Sequence, residues 1–410
     1  MGEYQLVASP VRVIPFDLGR SLDSDDVTEI KKYAVGSYDI GELTNRQLSI
    51  IKQLSLFFTV NENLSFYIYE KGICVVVVHD RKLSYKDATN FSVSYCQDRK
   101  DKHRAFFDWK HEYSSIIFEI ITELKTVIRK NTSKKERLRP SSSDSFENKG
   151  LSYVMTLSFF SIEERVSGTT GYSGYPNWLK RNVCALLEPS LLYLADSDKF
   201  GAEGIDSDES KKLLEELSSE LMLKDYERHR HIGAYMSWAA VVVIGRVNET
   251  DIIEYCTLEV QLQSDWFYVY CCEKTIDGID KPRSKDVVYM QKQQYELDML
   301  KNRLYDFDDS SLPLRIVDIQ RGLVDTSNLE DNIEHLRRKT QYILERENLN
   351  AELHQKRIGQ STEILLFIIA FIEIAPTVAE YGNKLFPYGG TIANIVMVIL
   401  GMILLIFKNR

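Results

Sequence analysis

The sequence predicts an α/β (α+β) cytosolic N-terminal domain, a long helical stalk and a C-terminal two-helix transmembrane hairpin. Three observations support this fold class. Strand-like alternation and helical periodicity are mixed over the first part of the chain, the composition turns to Lys, Glu, Gln and Leu from Ser284 onward, and two apolar runs with a short polar link close the chain. We therefore divide the 410 residues into a domain at 1–250, a helical region and stalk at 251–362, and a hairpin at 363–410.

The N-terminal region contains several predicted strands. LVASPVRVIPF alternates between apolar and polar residues, and LSFYIYEKGICVVVVHD predicts two strands joined at Glu70-Lys71-Gly72. LSYVMTLSFFSI and SWAAVVVIGRV are further predicted strands, the second one buried.

Helical spacing alternates with these strands, and we predict helices in NRQLSIIKQLSLFF, FFDWKHEYSSIIFEIITELKTVIRK and DESKKLLEELSSELMLKDY. The charged, Ser-rich segment 131–150 has no periodicity and predicts a mobile loop. The mixture of both element types indicates an α/β or α+β domain.

The segment 252–275 fits either element, because one helical face is apolar while the Val, Tyr and Phe content suits a strand. We favour a helix, since the run is too long for one strand. A second helix is predicted for SKDVVYMQKQQYELDMLKNRLYDF. A long helix from about Arg315 would then continue into the first apolar run and reach roughly 80 Å. Such a stalk usually packs against copies of itself.

The two apolar runs, at 364–379 and 391–407, are each near the lower limit of about 17 residues for a membrane span. The alternative is a helical hairpin buried in a soluble core. The second run carries no charge and is apolar on every face, which is typical of a large core or of lipid. A terminal hairpin of a mostly polar chain has no large core available, so we predict contact with the lipid bilayer.

Flanking cations predict the orientation. Lys356 and Arg357 precede the first run and Lys408 and Arg410 follow the second, whereas the link has only Lys384. Lysine and arginine are enriched on the cytoplasmic side. We expect a multi-pass protein of the inner (cytoplasmic) membrane with both termini cytoplasmic. The six cysteines form no CxxC pair, and the N-terminus does not have a signal-peptide profile, which agrees with a reduced cytosolic domain.

Several function classes are disfavoured. The net charge of -9 argues against direct nucleic-acid binding, because phosphate contacts need a basic surface. No nucleophile–base pattern or metal-ligand spacing stands out, and we predict no enzyme activity.

The apolar runs contain polar residues that are candidate pore groups. Glu373 lies in the middle of the first span, where a charged group is costly and normally faces a bundle interior or water. It is either part of a carboxylate ring in a cation pore or a protonated group bonded to a neighbouring helix, for example to Asn394. Glu363, at the cytoplasmic end, is either a pore-mouth ligand or an ordinary interfacial acid.

Two segments of the N-terminal domain are candidate ligand sites. GTTGYSGYPNWLKR offers glycines for close backbone approach, aromatic rings for stacking and cations for phosphate; YERHRHIG concentrates positive charge in an acidic chain. The alternatives are an ordinary turn and a solvated helix end. The residues concerned are Tyr172, Tyr175, Trp178, Lys180, Arg181, Arg228, His229 and Arg230.

The C-terminal architecture resembles the CorA family of two-span divalent-cation channels. Members have a proline late in the first span, followed by Tyr-Gly-Met-Asn at its outer end. Here Pro376 is followed by Glu380 and Tyr381-Gly382-Asn383, with one motif residue missing and a shorter spacing. The resemblance covers about 284–410 well and the N-terminal domain only in outline.

The resemblance implies a homo-oligomer, a pentamer in the family, and an outer motif (Glu380, Tyr381, Gly382, Asn383) that captures Mg²⁺ or another divalent cation. The missing residue makes the chain look more like the CorA-like proteins associated with type III CRISPR systems. That branch implies membrane permeabilisation or ion flux in antiviral defence, activated by a small nucleotide ligand, an adenylate-type messenger such as an S-adenosylmethionine–AMP conjugate. The alternatives are a magnesium transporter of the CorA family and a membrane-anchored interaction protein without a pore.

Overall fold

The computed structural model describes residues 5–84, 113–131, 139, 155–163, 232–236, 240–245, 247–279, 282–305, 313–385 and 387–408. The chain divides into two compact units, which we call the α/β unit (Met1–Thr340) and the C-terminal unit (Gln341–Arg410). The helix predicted for DESKKLLEELSSELMLKDY lies outside the described residues. So does the loop predicted at 131–150, except for Asn131 and Arg139.

The bounds of the elements are as follows. The strands are β1 (Gln5–Asp17), β2 (Leu54–Asn61), β3 (Leu64–Tyr69), β4 (Ile73–His79), β5 (Leu83–Ser84), β6 (Met155–Glu163), β7 (Ile232–Met236) and β8 (Ala240–Gly245). The helices of the α/β unit are α1 (Ser24–Val35), α2 (Asn45–Ile50), α3 (Ser114–Asn131), α4 (Glu249–Asp277), α5 (Ser284–Tyr305) and α6 (Leu314–Ser327). Helix α7 (Leu329–Leu385) begins in the α/β unit and ends in the C-terminal unit, where α8 (Gly389–Lys408) follows.

The described strands form one mixed sheet in the order β2-β3-β4-β1-β6-β8-β7, with β5 pairing with β1. Strand β1 is central, because Val13 lies opposite both Val77 of β4 and Met155 of β6. Of the pairings along this order, β6 with β8 is parallel and the others are antiparallel. The N-terminal α/β region with a sheet and the helical C-terminal part are therefore present as the sequence predicts.

Both faces of the sheet are covered. Alternate residues of a strand point to opposite faces, and Cys74, Val76 and Val78 of β4 belong to a core that also contains Ile30 of α1 and Leu124 of α3. Helix α4 contacts β1 and β4 as well. Every residue of β4 except His79 is buried, as expected for a strand with helices on both sides.

The predicted hairpin at Glu70-Lys71-Gly72 is confirmed as the β3–β4 turn. Gly72 has a φ of 75°, and a Cβ atom there would lie 1.7 Å from the carbonyl oxygen of Arg20. Only glycine fits such a backbone at this distance. The turn is thereby fixed against the segment that follows β1.

The helical interpretation of 252–275 is confirmed by α4, which begins after an Asn248–Asp251 capping box. The predicted helix NRQLSIIKQLSLFF is wrong in its second half. Helix α2 ends at Ile50, Gln53 takes a positive φ of 58°, and the apolar residues that follow form β2. Their burial against the sheet overrides the weak local preference for a helix.

The long helix also differs from its predicted start. Asn328 adopts a left-handed conformation with φ 51°, so α6 ends there and α7 begins at Leu329. Asparagine tolerates this conformation better than other non-glycine residues. At the other end α7 continues to Leu385, so the first part of the polar link between the two apolar runs is helical.

Candidate functional site

The residues proposed as a nucleotide site, Tyr172 to Arg181 and Arg228 to Arg230, lie outside the described residues. The remaining predicted site residues all lie on α7 and α8. A second group of polar residues, which the sequence did not single out, surrounds a cleft in the α/β unit.

Glu363, just before the first apolar run, and Glu373, within it, are both exposed on α7. Glu373 has no hydrogen bond or ion pair within the described part of the chain, and Pro376 stands three residues later inside the same helix. The proline removes one backbone donor and leaves the carbonyl of Ile372 without its helical partner. A carboxylate and an unpaired backbone carbonyl therefore lie within one turn of each other.

The outer motif is part of α7 and not of a loop. Glu380 pairs with Lys384 at 2.9 Å, and the Lys384 Nζ lies 5.4 Å from the centre of the Tyr381 ring. The Asn383 side-chain oxygen accepts a hydrogen bond of 3.0 Å from the Gly390 N–H at the start of α8. This asparagine thus connects the two helices.

Helices α7 and α8 approach closely where small residues meet. A Cβ atom on Gly382 would lie 2.7 Å from Gly389, and one on Gly401 would lie 2.6 Å from the Phe367 ring. Small residues permit such close helix contacts in lipid. The buried side-chain oxygen of Asn394 has no hydrogen-bond partner within the described residues.

The C-terminal unit exposes a large apolar surface. One helix, Leu329–Leu385, is long and apolar enough to cross a membrane by length and composition: an 18-residue window in it has a mean hydropathy of 2.0 and is 0% buried. The exposed apolar residues of both helices include Leu365, Leu366, Ile368, Ile369, Ile372, Ile392, Ile395 and Ile399. Soluble monomers rarely expose a contiguous patch of this kind.

Buried ion pairs are the main polar feature of the α/β unit. Arg139 lies in the interior and donates hydrogen bonds of 2.8 and 3.0 Å to Asp17 Oδ1 and one of 2.9 Å to the carbonyl oxygen of Lys71. The side chains of Arg139 and Asp17 are 2% and 0% exposed. Multiple hydrogen bonds satisfy this pair, which offsets part of the cost of burying two charges.

A second buried pair lies beside the first. Lys71, in the β3–β4 turn, donates a hydrogen bond to Asp265 of α4, and both side chains are 7% exposed. Asp265 also accepts a hydrogen bond of 2.9 Å from Gln261. Arg303 of α5 is 3.7 Å from the same carboxylate, and its Nε and Nη1 atoms are buried without a hydrogen-bond acceptor among the described residues.

Lys71 and Arg303 line an open cleft of about 270 Å³, which we call the β3–β4 cleft. Its lining includes Gln53, Glu70, Lys71, Tyr295, Glu296 and Arg303. Tyr268, also in the lining, donates a hydrogen bond to Glu296, and Lys292 lies 3.9 Å from the same carboxylate. The cleft therefore combines buried cations with acceptors nearer its rim.

The burial of these groups changes their acidity. Burial lowers the pKa of Lys71 to about 8, although the Asp265 carboxylate opposes this effect, and the neighbouring Arg303 charge lowers it further. Burial likewise raises the pKa of the Cys272 thiol to about 11, and it raises the pKa of Tyr268 well above its ordinary value. At neutral pH the lysine remains mostly protonated, while the thiol and the phenol remain neutral.

Within the described ranges, no cluster of three or more His, Cys, Asp or Glu side chains is arranged to hold a metal ion. The described cysteines, Cys74, Cys256, Cys271 and Cys272, are free and buried.

No protein-family model, no curated protein and no solved structure matches this chain. The likeness to CorA proteins therefore rests on the residues of the sequence alone.

Proposed function

We propose that this chain forms an oligomeric, CorA-like membrane channel whose cytosolic α/β unit binds a small nucleotide ligand and controls ion flux. The observation that supports this proposal most is the apolar window of α7, of which 0% is buried. Leaving such a surface in water is costly, since each Å² of apolar area costs about 25 cal/mol. A bilayer and neighbouring copies of the chain provide the missing contacts.

A transmembrane hairpin is the arrangement that we propose for α7 and α8. Helix α8 has 20 residues from Gly389 to Lys408, and at about 1.5 Å per residue its length of about 30 Å matches the thickness of the hydrocarbon core when the helix is upright. Its close contact with α7 at Gly382 and Gly401 supports an antiparallel pair. The flanking cations favour cytoplasmic positions for both ends of this pair.

Self-association follows from the same exposed surface. Tyr342, Leu349 and Leu353 of α7 are each at least half exposed, and their spacing of seven and four residues is that of a coiled-coil stripe. Two spans are too few to enclose a pore. A ring of copies would cover the stripe and bring the polar residues of the spans to a common axis.

Glu373 and Asn394 are the groups that we propose to face that axis. Glu373 has no partner within the described chain, and the buried Asn394 oxygen has none either. Polar groups inside a membrane normally face protein or water, where their cost of about 2.5–3.5 kcal/mol for a charge is reduced. Glu363 would then lie nearer the cytoplasmic mouth.

The outer motif supports a ligand-controlled channel over a magnesium transporter. In the transporter reading, Gly382 and Asn383 would belong to a loop that captures a hydrated cation. Here both residues are inside α7, and the Asn383 side chain is already occupied by Gly390. A cation at Asn383 would have to compete with this hydrogen bond.

The proposal is tested with the full chain in detergent and in proteoliposomes. Light scattering should give a closed assembly of several copies. The proteoliposomes should carry K⁺ flux, which is measured with and without AMP. Glu373→Gln should lower that flux several-fold while the assembly stays unchanged. Glu373→Leu should lower it further, because an apolar ring favours a dry constriction.

Glu352→Gln is the matched control, since Glu352 is an exposed glutamate of the same helix outside the apolar run. It should leave flux unchanged. A monomer in detergent would exclude a channel, and normal flux in both Glu373 variants would place this residue outside the permeation path.

A further inference from the structure

We propose that the β3–β4 cleft binds the phosphate group of a small, hydroxyl-bearing phosphate monoester, with Lys71 and Arg303 as the binding cations. The inference deepens the proposed function, because it names a site and a ligand class for the cytosolic unit. It depends on residues of the α/β unit alone.

Two cations next to the cleft depend on a single carboxylate. Lys71 and Arg303 share Asp265, which is the only carboxylate within 4.0 Å of either cation among the described residues. The nearby Asp17 does not change this balance, because it is bonded to Arg139. Lys71 and Arg303, whose side chains are 7% and 16% exposed, therefore share one carboxylate, and an anion would supply a second negative charge next to them.

The Arg303 guanidinium has too few hydrogen-bond acceptors among the described residues. Arg139 makes several hydrogen bonds in the same interior, whereas two nitrogen atoms of Arg303 have no acceptor and the third is 3.7 Å from Asp265. Leaving buried donors without acceptors is destabilising. Arg303 also lines the cleft, where a phosphate would offer strong acceptors to this guanidinium.

The size and the polar lining of the cleft favour a compact ligand. Its volume of about 270 Å³ is close to the lower end of small-molecule sites, which hold compact metabolites. Glu70 and Glu296 also line it, so a polyphosphate would meet like charge there. A monoester carries less negative charge and meets less of this repulsion, and its hydroxyl groups can donate to Glu296 and Gln53.

Binding is tested by calorimetry on the full-length protein in detergent. The probes are inorganic phosphate, glycerol 3-phosphate and AMP, with glycerol, adenosine and acetate as their counterparts without phosphate. We expect a phosphate ester to bind more tightly than its parent alcohol. Arg303→Gln should weaken this binding by about tenfold or more, because hydrogen bonds to a charged ligand are lost. Arg338→Gln, at a largely exposed arginine of α7, is the matched control and should bind normally.

Thermal unfolding distinguishes a binding residue from a structural one. Arg303→Gln removes an under-bonded buried charge, so the unfolding temperature of the ligand-free protein should stay the same or rise. Lys71→Gln removes the partner of Asp265 and should lower it. The proposal is overturned by a marked loss of thermal stability in Arg303→Gln, by unchanged affinity in that variant, or by tighter binding of acetate than of any phosphate probe.

The same preparations keep this inference separate from the channel proposal. Absence of binding with all phosphate probes, in a protein that assembles and carries K⁺ flux, overturns the site and leaves the channel. Phosphate binding that depends on Arg303 in a protein that stays monomeric supports the site and overturns the channel.

Discussion

The two units of this chain depart in opposite ways from the usual distribution of side chains, in which charged residues are exposed and large apolar residues are buried. The α/β unit buries charges, among them Asp17, Arg139, Lys71 and Asp265, while the C-terminal unit exposes Leu, Ile and Val side chains along two helices. The buried charges largely find partners within the unit, and Arg303 is the exception discussed above. The exposed apolar residues are not covered by any of the described residues, and the proposed bilayer and neighbouring copies would cover them.

The largest expected effect concerns the exposed apolar surface. Leu366→Arg, Ile369→Arg, Ile395→Arg and Ile399→Arg together place four charges on α7 and α8 at exposed positions. At about 2.5–3.5 kcal/mol each, they should cost about 10–14 kcal/mol on insertion. We expect the full chain to move from the membrane fraction to the fraction released by alkaline carbonate.

A matched set of substitutions lies on the earlier part of α7. Tyr342→Arg, Leu349→Arg, Leu353→Arg and Ile358→Arg alter residues that are equally exposed. This set should weaken assembly and leave the protein in the membrane. Equal release of both sets would mean that the C-terminal apolar run has no special relation to the bilayer.

A smaller effect is expected for the buried pairs of the α/β unit. Asp17→Ala leaves the Arg139 guanidinium buried without its carboxylate and should lower the free energy of unfolding by about 3–5 kcal/mol. Urea denaturation followed by near-UV circular dichroism measures this loss.

Its control is Glu29→Ala, which removes the exposed partner of Lys32 on α1 and should cost about 0–1 kcal/mol. The comparison between the units would fail if both alanine variants lost the same amount, because the buried pair would then contribute no more than a surface pair.

The sequence predicts those parts of the fold that depend on local pattern. The β3–β4 hairpin follows from apolar runs around a turn that requires Gly72. Helix α4 is harder to assign, because its Val, Tyr and Phe content suits a strand as well as a helix. In the structure α4 is buried on many sides, and Glu259, Gln261 and Gln263 lie inside the unit, where side-chain or backbone groups bond to them.

The β3–β4 cleft was not predictable in the same way. Lys71 and Asp265 are 194 residues apart, and nothing in either local segment indicates that they meet. Arg303 lies in a helix with many charged residues, where a cation usually indicates a solvated face. Similarly, the break at Asn328 depends on one backbone conformation and not on periodicity. The proposed pore residues stay a prediction that the flux experiment tests.

The smallest expected effect is a pH dependence inside α4. Burial raises the pKa of Glu259 to about 7, while a hydrogen bond from Gln263 opposes this rise. In the unfolded chain the pKa is near 4.5, so the unfolded state loses this proton first as the pH rises. The folded state binds more protons between pH 4.5 and 7, and its stability must fall over that window. One pKa unit corresponds to about 1.4 kcal/mol, which gives a loss of about 3 kcal/mol.

Glu259→Gln keeps an acceptor for Gln263 and cannot titrate. The difference in unfolding free energy between the variant and the wild type should therefore grow in favour of the variant from pH 4.5 to 7 and level off above that. A constant difference across this window would mean that Glu259 is ionised in the folded protein and that another cation, outside the contacts described above, neutralises it.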